Sequence, residues 1–150
     1  MRFTKLPALI LIFLLSLYDP AMAALGDSED SIVNDQVSMK ATHRIAREPQ
    51  YTVHEMQTPS GTLIREYVSA QGRVFAVTWQ GPFMPDLQQI LGNYFADYSA
   101  AAGNKRAGHG RLLVKQPGLV VHSGGHMRAF SGRAYIPEQV PSNISIDEIK

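Results

Sequence analysis

Apolar and polar residues alternate through three short runs in the middle of the chain, at positions 51–57, 62–69 and 73–79. The runs are rich in aromatic and β-branched residues, which is typical of β-strands. Residues 59–61 and 70–72 separate them, and each connection is three residues long and ends in glycine. Such connections form three-residue hairpin loops in which glycine takes the left-handed conformation. The pattern predicts an antiparallel meander of three strands.

Three-residue loops also predict which residues lie opposite each other in the meander. Glu55 pairs with Arg65, His54 pairs with Glu66, and Leu63 lies opposite the only tryptophan, Trp79. One face of the predicted sheet is bulkier than the other, and we expect it to form the core. Its members are Tyr51, Val53, Leu63, Tyr67, Phe75, Val77 and Trp79.

A helix is predicted to follow this meander, from Leu87 to about Gly103. Pro85 and Asp86 suit its first turn, because proline lacks an N–H and the carboxylate favours the positive end of the helix dipole. Large apolar residues then recur at three- and four-residue spacing, which is typical of an amphipathic helix. They are Leu87, Ile90, Leu91, Tyr94, Phe95 and Tyr98. We expect this helix to lie across the aromatic face of the sheet.

The flanking segments predict a shorter helix and further strands. Residues 28–40 begin with acidic and capping residues and continue at helical spacing, which indicates a short N-terminal helix. Residues 112–115, 119–123 and 127–136 indicate three more strands, the last with a bulge or bend at Gly132. The fold class is therefore α+β, with antiparallel β-meanders packed on one amphipathic helix and a short N-terminal helix.

The first 23 residues have the features of a secretory signal peptide. Two basic residues precede an apolar run at positions 6–17, and Ala21-Met22-Ala23 is an A-x-A cleavage site. We expect cleavage after Ala23, a single α+β domain over residues 24–150 with its core at about 51–136, and a location in the periplasm or cell envelope. Contact with the membrane is then expected only through the signal peptide before it is cleaved.

Composition narrows the classes of function. Removal of residues 1–23 leaves 12 basic and 12 acidic side chains of the original 14 and 13, so the mature net charge is close to zero with histidine neutral. A nucleic-acid-binding protein shows a basic excess instead. The chain has no cysteine, which excludes disulfides, cysteine-ligated metals and thiol catalysis.

The strongest candidate for chemistry is the sequence His122-Ser-Gly-Gly-His126, in which two imidazoles flank a Gly-Gly pair. If residues 123–125 form a three-residue loop, the two histidines face each other, whereas a two-residue turn at 124–125 points them to opposite faces. A zinc site would need at least one more ligand. The alternative interpretation is a hairpin with half-exposed histidines.

Two other groups of residues have a functional and a structural interpretation. His54 opposite Glu66 could act as a general base, although an ordinary cross-strand pair has the same appearance. The loop that runs from Trp79 through Phe83 and Met84 could bind a ligand or partner, or could close the end of the core. No nucleophile motif is present, so we assign no catalytic residue, cofactor or metal.

Several segments resemble a family of exported Gram-negative bacterial proteins that is known only as a domain of unknown function. The segments are 51–55, 58–62, 65–68, 74–87 and 123–135. The resemblance extends over essentially the whole mature chain and implies export and a cell-envelope setting. It implies no reaction, cofactor or catalytic residue.

The sequence favours a non-catalytic module that binds an envelope protein or a small ligand. The candidate contact residues are Trp79, Phe83, Met84, His122 and His126. The alternative is a metal-binding protein or a hydrolase-type enzyme that uses His122 and His126. The uncharged outer face predicted for the main helix also suggests a homo-oligomer.

Overall fold

A computed structural model describes residues 25–103 and 111–150 of the chain. The predicted signal peptide and most of the basic loop that follows the main helix lie outside the described residues. None of the helices in the described part is long and apolar enough to span a membrane.

Seven antiparallel strands form one sheet in the order β1-β2-β3-β4-β7-β6-β5. The strands are β1 Thr42–Arg47, β2 Tyr51–Gln57, β3 Leu63–Ser69, β4 Val74–Gly81, β5 Leu112–Gln116, β6 Leu119–His126 and β7 Ala129–Tyr135. The helices are α1 Ile32–Met39, α2 Leu87–Leu91 and α3 Phe95–Gly103. Two meanders, β1–β4 and β5–β7, are joined where β4 pairs with β7. This architecture confirms the α+β class, the two meanders and the short N-terminal helix.

The predicted register is correct on one side of β3 and wrong on the other. Between β2 and β3, Glu55 lies opposite Arg65 and His54 opposite Glu66, as predicted. Between β3 and β4 the register shifts after Val68, so that Tyr67 lies opposite Ala76. Phe75 is the additional residue of a β-bulge, and such a residue moves everything after it to the other face.

The bulge decides which face forms the larger core. Because of the shift, Val77 and Trp79 lie on the same face as Met56 and Ile64, in one buried cluster with Ile90 of α2. The predicted packing of the main helix on the aromatic face is therefore wrong. The described residues place α2 against the aliphatic face of β2 and β3.

The aromatic face has a core of its own, covered by the end of the chain. Val53, Tyr67 and Phe75 form a second buried cluster with Ile144 and Ile149. We call residues 144–150 the C-terminal segment. It lies on the sheet face that the sequence analysis assigned to the main helix.

The main helix is also less regular than predicted. It is divided into α2 and α3 by a short 3-10 turn over Gly92–Tyr94, and Gly92 has φ +50°. Asp86 caps α2, since its carboxylate accepts hydrogen bonds from the backbone N–H groups of Gln88 and Gln89 at 2.9 and 3.2 Å. Two shorter helices can follow the curvature of the sheet where a single straight helix cannot.

The bend predicted at Gly132 is absent, and the glycine has another role. Gly132 pairs in register with Trp79 on one side and Ser123 on the other. A β-carbon at this position would lie 2.2 Å from Cζ2 of the Trp79 ring. The glycine is needed because the indole lies directly on the backbone of β7.

Candidate functional site

A groove of about 840 Å³ lies across the sheet beside the C-terminal segment. Strands β3, β4, β7 and β6 form its floor, and the residues before and within β5 form its far wall. Its polar and charged lining residues are Arg65, Thr78, Gln80, Arg111, His122, Ser123, His126, Ser131, Arg133 and Lys150.

The register of the sheet brings the middle of this lining together. Arg65 lies opposite Thr78, Thr78 opposite Arg133, and Arg133 opposite His122. Residues directly opposite each other in an antiparallel sheet point to the same face. A single row across four strands therefore carries two guanidinium groups and an imidazole, although the residues are distant in sequence.

The lining is strongly cationic. It contains Arg65, Arg111, Arg133 and Lys150 together with two histidines, and it contains no aspartate or glutamate. Residues 24–150 as a whole have balanced charges, so the sequence composition gives no indication of this local excess. Positive groups gathered in a concave site focus the field on a bound anion.

Two of the cations hold the C-terminal segment in place. Arg65 donates through Nε to the Glu55 carboxylate at 2.9 Å and through a terminal nitrogen to the main-chain oxygen of Lys150 at 3.0 Å. The Arg65 hydrogen bond lowers the pKa of Glu55. Arg133 donates to the main-chain oxygen of Ile146 at 2.9 Å and lies 3.4 Å from the Asp147 carboxylate. These two arginines are structural.

The other cationic groups have no carboxylate partner among the described residues. No ion pair in residues 25–103 and 111–150 includes Arg111, His122, His126 or the Lys150 side chain. Arg111 lies over Gly124, where a β-carbon would be 3.3 Å from its Cγ. The absence of a side chain at Gly124 thus leaves room for this arginine at the wall of the groove.

His122 lies in a positively charged environment. Its pKa is lowered from 6.5 by burial first and then by the charges of Arg133 and Lys115, against an opposing contribution from Asp147. The neutral form of the imidazole is therefore favoured at pH 7. A negative ligand beside it would favour the protonated form.

Both predictions for the turn between the two histidines are wrong. His122 and His126 both lie in β6, and the hairpin turns at Met127 and Arg128, where Arg128 has φ +64°. Four residues of strand separate the histidines by about 13 Å, which is too far for both to bind one metal ion. Within the described ranges no group of three or more His, Asp or Glu residues could hold a metal.

The remaining predicted contact residues are divided between the groove and another surface. Trp79 lies in the lining of the groove with the two histidines, although its ring is buried against Gly132. Phe83 and Met84 are 56 % and 40 % exposed and lie outside that lining. The structure therefore brings together three of the five predicted residues.

A second polar cluster is buried beneath α1. Asp35 and Glu66 are each 1 % exposed, and their carboxyl groups interact with each other. Gln89 donates to Asp35 Oδ1 at 2.9 Å. Burial raises the pKa of Asp35 to about 6 and that of Glu66 well above 4.5. Because neither carboxyl is open to solvent, this pair is structural and not a catalytic dyad.

The imidazole of His54 interacts with Glu29 and His43, and not with Glu66 as predicted. Its Nε2 lies 2.9 Å from the Glu29 carboxylate and its Nδ1 lies 3.0 Å from His43 Nε2, with the two rings stacked at 5.1 Å. Glu29 belongs to the short turn before α1, so this network ties the N-terminal helix to the sheet. The prediction that Glu66 lies opposite His54 in the sheet was correct, but the prediction that the two side chains interact was wrong.

Sequence reasoning did not identify Arg65, Arg111, Arg133 and Lys150 as parts of one site. Their convergence depends on the pairing of β4 with β7, which joins the two meanders. No short-range motif encodes that pairing. The only local signal was the alternation that places Arg65 and Arg133 on one face of their own strands.

Comparison with known proteins gives a family but no activity. No curated protein and no solved structure matches the chain. A family model matches residues 21–149, which is nearly the whole region beyond the predicted signal peptide. The chain therefore belongs to the family described as a protein of unknown function (DUF2844).

Proposed function

We propose that the protein is an exported, non-catalytic binding module of the cell envelope and that the groove across β3, β4, β7 and β6 binds a small polar ligand. The observation that supports it is the groove itself. Its volume of about 840 Å³ lies within the usual range for small-molecule sites. Export rests on the basic and apolar start of the chain with its A-x-A site.

The lining favours binding over catalysis. Its side chains are hydrogen-bond donors, cations and two imidazoles, and no aspartate or glutamate is among its described residues to orient His122 or His126 as a general base. Its hydroxyls, Thr78, Ser123 and Ser131, have no described carboxylate–imidazole pair beside them, as a nucleophile would need. Such a surface recognises a ligand without transforming it.

The floor of the site is rigid, which favours selective binding. Four hydrogen-bonded strands position the lining residues, and the C-terminal segment is fixed by Arg65 and Arg133. Sites built on strands hold their side chains more accurately than sites on loops. A preformed site loses little conformational freedom when the ligand binds.

Native mass spectrometry of the protein purified from the periplasm of its own host tests the proposal. Ser131 is exposed on the groove floor, so Ser131→Trp fills the groove, and Thr42→Trp on the edge strand β1 is the matched control. We expect cleavage after Ala23 and an additional small-molecule mass on the wild type and on Thr42→Trp, but not on Ser131→Trp.

A wild type without bound mass, or a bound mass that persists in Ser131→Trp, would overturn the groove as the binding site. Recovery of the uncleaved protein from the cytoplasm would overturn export. The same spectrum gives the oligomeric state, and hence tests the predicted homo-oligomer.

A further inference from the structure

We infer that the ligand of the groove is an organic anion with two separated negative groups, which Arg111 and Lys150 bind at opposite ends, with His122 beside the group at the Arg111 end. This inference rests on the proposed function and specifies the chemical class of ligand. It follows from where the unpaired positive charges lie in the groove.

The positive groups without carboxylate partners are at opposite sides of the groove. Lys150 lies beside Arg65 of β3, whose guanidinium binds its main-chain oxygen. Arg111 lies over Gly124 of β6. From β3 to β6 there are three inter-strand spacings, which amount to about 14 Å. A single small anion would reach only one end.

The cations that lack a described carboxylate partner favour a charged ligand over a neutral one. Arg65 and Arg133 already bind Glu55, Asp147 and main-chain oxygens, so the positive charge available to a ligand is on Arg111 and Lys150. Since no aspartate or glutamate is among the described lining residues, the site offers no acidic side chain to a cation. A neutral molecule would leave Arg111 and Lys150 without a charged partner.

His122 makes binding dependent on pH. The groups that face it are Arg133 on β7, Lys115 on β5 and Asp147 on the C-terminal segment. Burial first, and then the charges of Arg133 and Lys115, lower the pKa of His122, and a bound anion compensates those two charges. The imidazole then takes up a proton when the ligand binds, so affinity increases as the pH falls from about 7.5 to 6.5, where a dicarboxylate still has both charges.

Isothermal titration calorimetry with three compounds of equal chain length tests the inference. Adipate has two carboxylates, hexanoate has one, and 1,6-hexanediol has none. We expect binding in the order adipate, hexanoate, hexanediol, and weaker adipate binding at higher ionic strength. Tripolyphosphate, compared with orthophosphate, shows whether phosphate groups can replace carboxylates in the same site.

Variants that each remove one positive charge test whether Arg111 and Lys150 bind the two ends of the ligand. Arg111→Gln and Lys150→Gln should each weaken adipate binding about tenfold, the effect of one charge-assisted hydrogen bond, and reduce it toward that of hexanoate. Arg47→Gln removes an exposed charge on β1, outside the groove, and should leave affinity unchanged. All three positions are exposed, so the variants should fold as the wild type does.

The outcomes separate the two proposals. If hexanediol binds as well as adipate and Ser131→Trp blocks both, the groove binds ligands but the anionic class is wrong. If none of the compounds binds, or if Arg111→Gln and Lys150→Gln bind adipate like the wild type, this inference is overturned. The proposed function is then decided separately by the ligand mass retained from the host.

Discussion

Asp35 of α1 and Glu66 of β3 bury their carboxyl groups against each other, with each residue 1 % exposed. No described basic side chain forms an ion pair with either of them. Two ionised carboxylates in this position would repel strongly, so the pair retains a proton, and burial, which raises the pKa of Glu66 well above 4.5, favours the proton on Glu66. Gln89 supplies a further hydrogen bond to Asp35. The contact that holds α1 on the sheet thus depends on protonation.

This relationship predicts that stability decreases as the pH rises. The folded pKa of Glu66 lies well above its value of 4.5 in the unfolded chain. Stability from a raised carboxyl pKa is complete below the unfolded pKa and is lost as the pH rises toward the folded pKa. Ionisation of Glu66 should therefore lower the free energy of unfolding by about 1.4 kcal/mol for each pH unit above pH 4.5, until the folded pKa is reached. Asp35 adds to this loss up to its pKa of about 6.

Glu66→Gln tests this prediction, because glutamine keeps the size and polarity of a protonated glutamate but does not titrate. Urea unfolding between pH 6 and 8 should show the wild type losing stability relative to Glu66→Gln, which should remain nearly level. The difference between the two proteins cancels the opposite contributions of His43 and His122, whose pKa values are lowered. Parallel pH profiles for the two proteins would refute the shared proton.

The contact between Trp79 and Gly132 predicts a large effect of one methyl group. Gly132→Ala would place a β-carbon 2.2 Å from the buried indole, so the ring or strand β7 must move. We expect a loss of more than about 2 kcal/mol in the free energy of unfolding, together with a shift in tryptophan fluorescence.

Gly103→Ala is the matched control, because a β-carbon there meets no atom within 4 Å and Gly103 ends helix α3. It should be neutral or slightly stabilising. Equal stability of the two glycine variants would mean that the close packing at Gly132 is wrong.

The C-terminal segment should contribute strongly to stability. Ile149 is 1 % exposed in the cluster with Tyr67 and Phe75. Ile149→Ala should cost about 2–4 kcal/mol in chemical denaturation, because it leaves a cavity on the aromatic face. Met127→Ala is the comparison, since Met127 is 88 % exposed and should change stability little. A harmless Ile149→Ala would show that the segment is not anchored.

The environment of His122 predicts its titration. Its NMR midpoint should lie below 6.5, since burial and the charges of Arg133 and Lys115 oppose protonation. Lys115→Gln should raise that midpoint, whereas Arg47→Gln should not. Saturating adipate should raise it in the wild type. If neither Lys115→Gln nor adipate changes the midpoint, His122 does not sense the charges of Arg133 and Lys115.

The parts of the fold that depend on local sequence patterns were predictable. Alternation and glycine-ended loops gave the first meander, and the β2–β3 register followed from loop length, as the Glu55–Arg65 pair shows. The prediction failed at Phe75, because a one-residue bulge inside a strand leaves no mark on composition or loop length. That single residue exchanged the two faces of β4 and led us to place the helix on the wrong side.

The site was predictable only in part for a different reason. Trp79, His122 and His126 were recognised as unusual residues, and all three line the groove. Arg65, Arg111 and Lys150 were not, because long-range pairing of the meanders brings them together. The buried pair of Asp35 and Glu66 was not predicted either, since acidic residues on short helices and strands usually face solvent.

The most direct test of the central claim is a ¹H–¹⁵N NMR titration of the mature protein with adipate. The account predicts shifts concentrated at Arg111, His122, Gly124 and Ser131 in the groove, and their loss in Ser131→Trp. Shifts concentrated around Phe83 and Met84, or shifts that persist in Ser131→Trp, would contradict it.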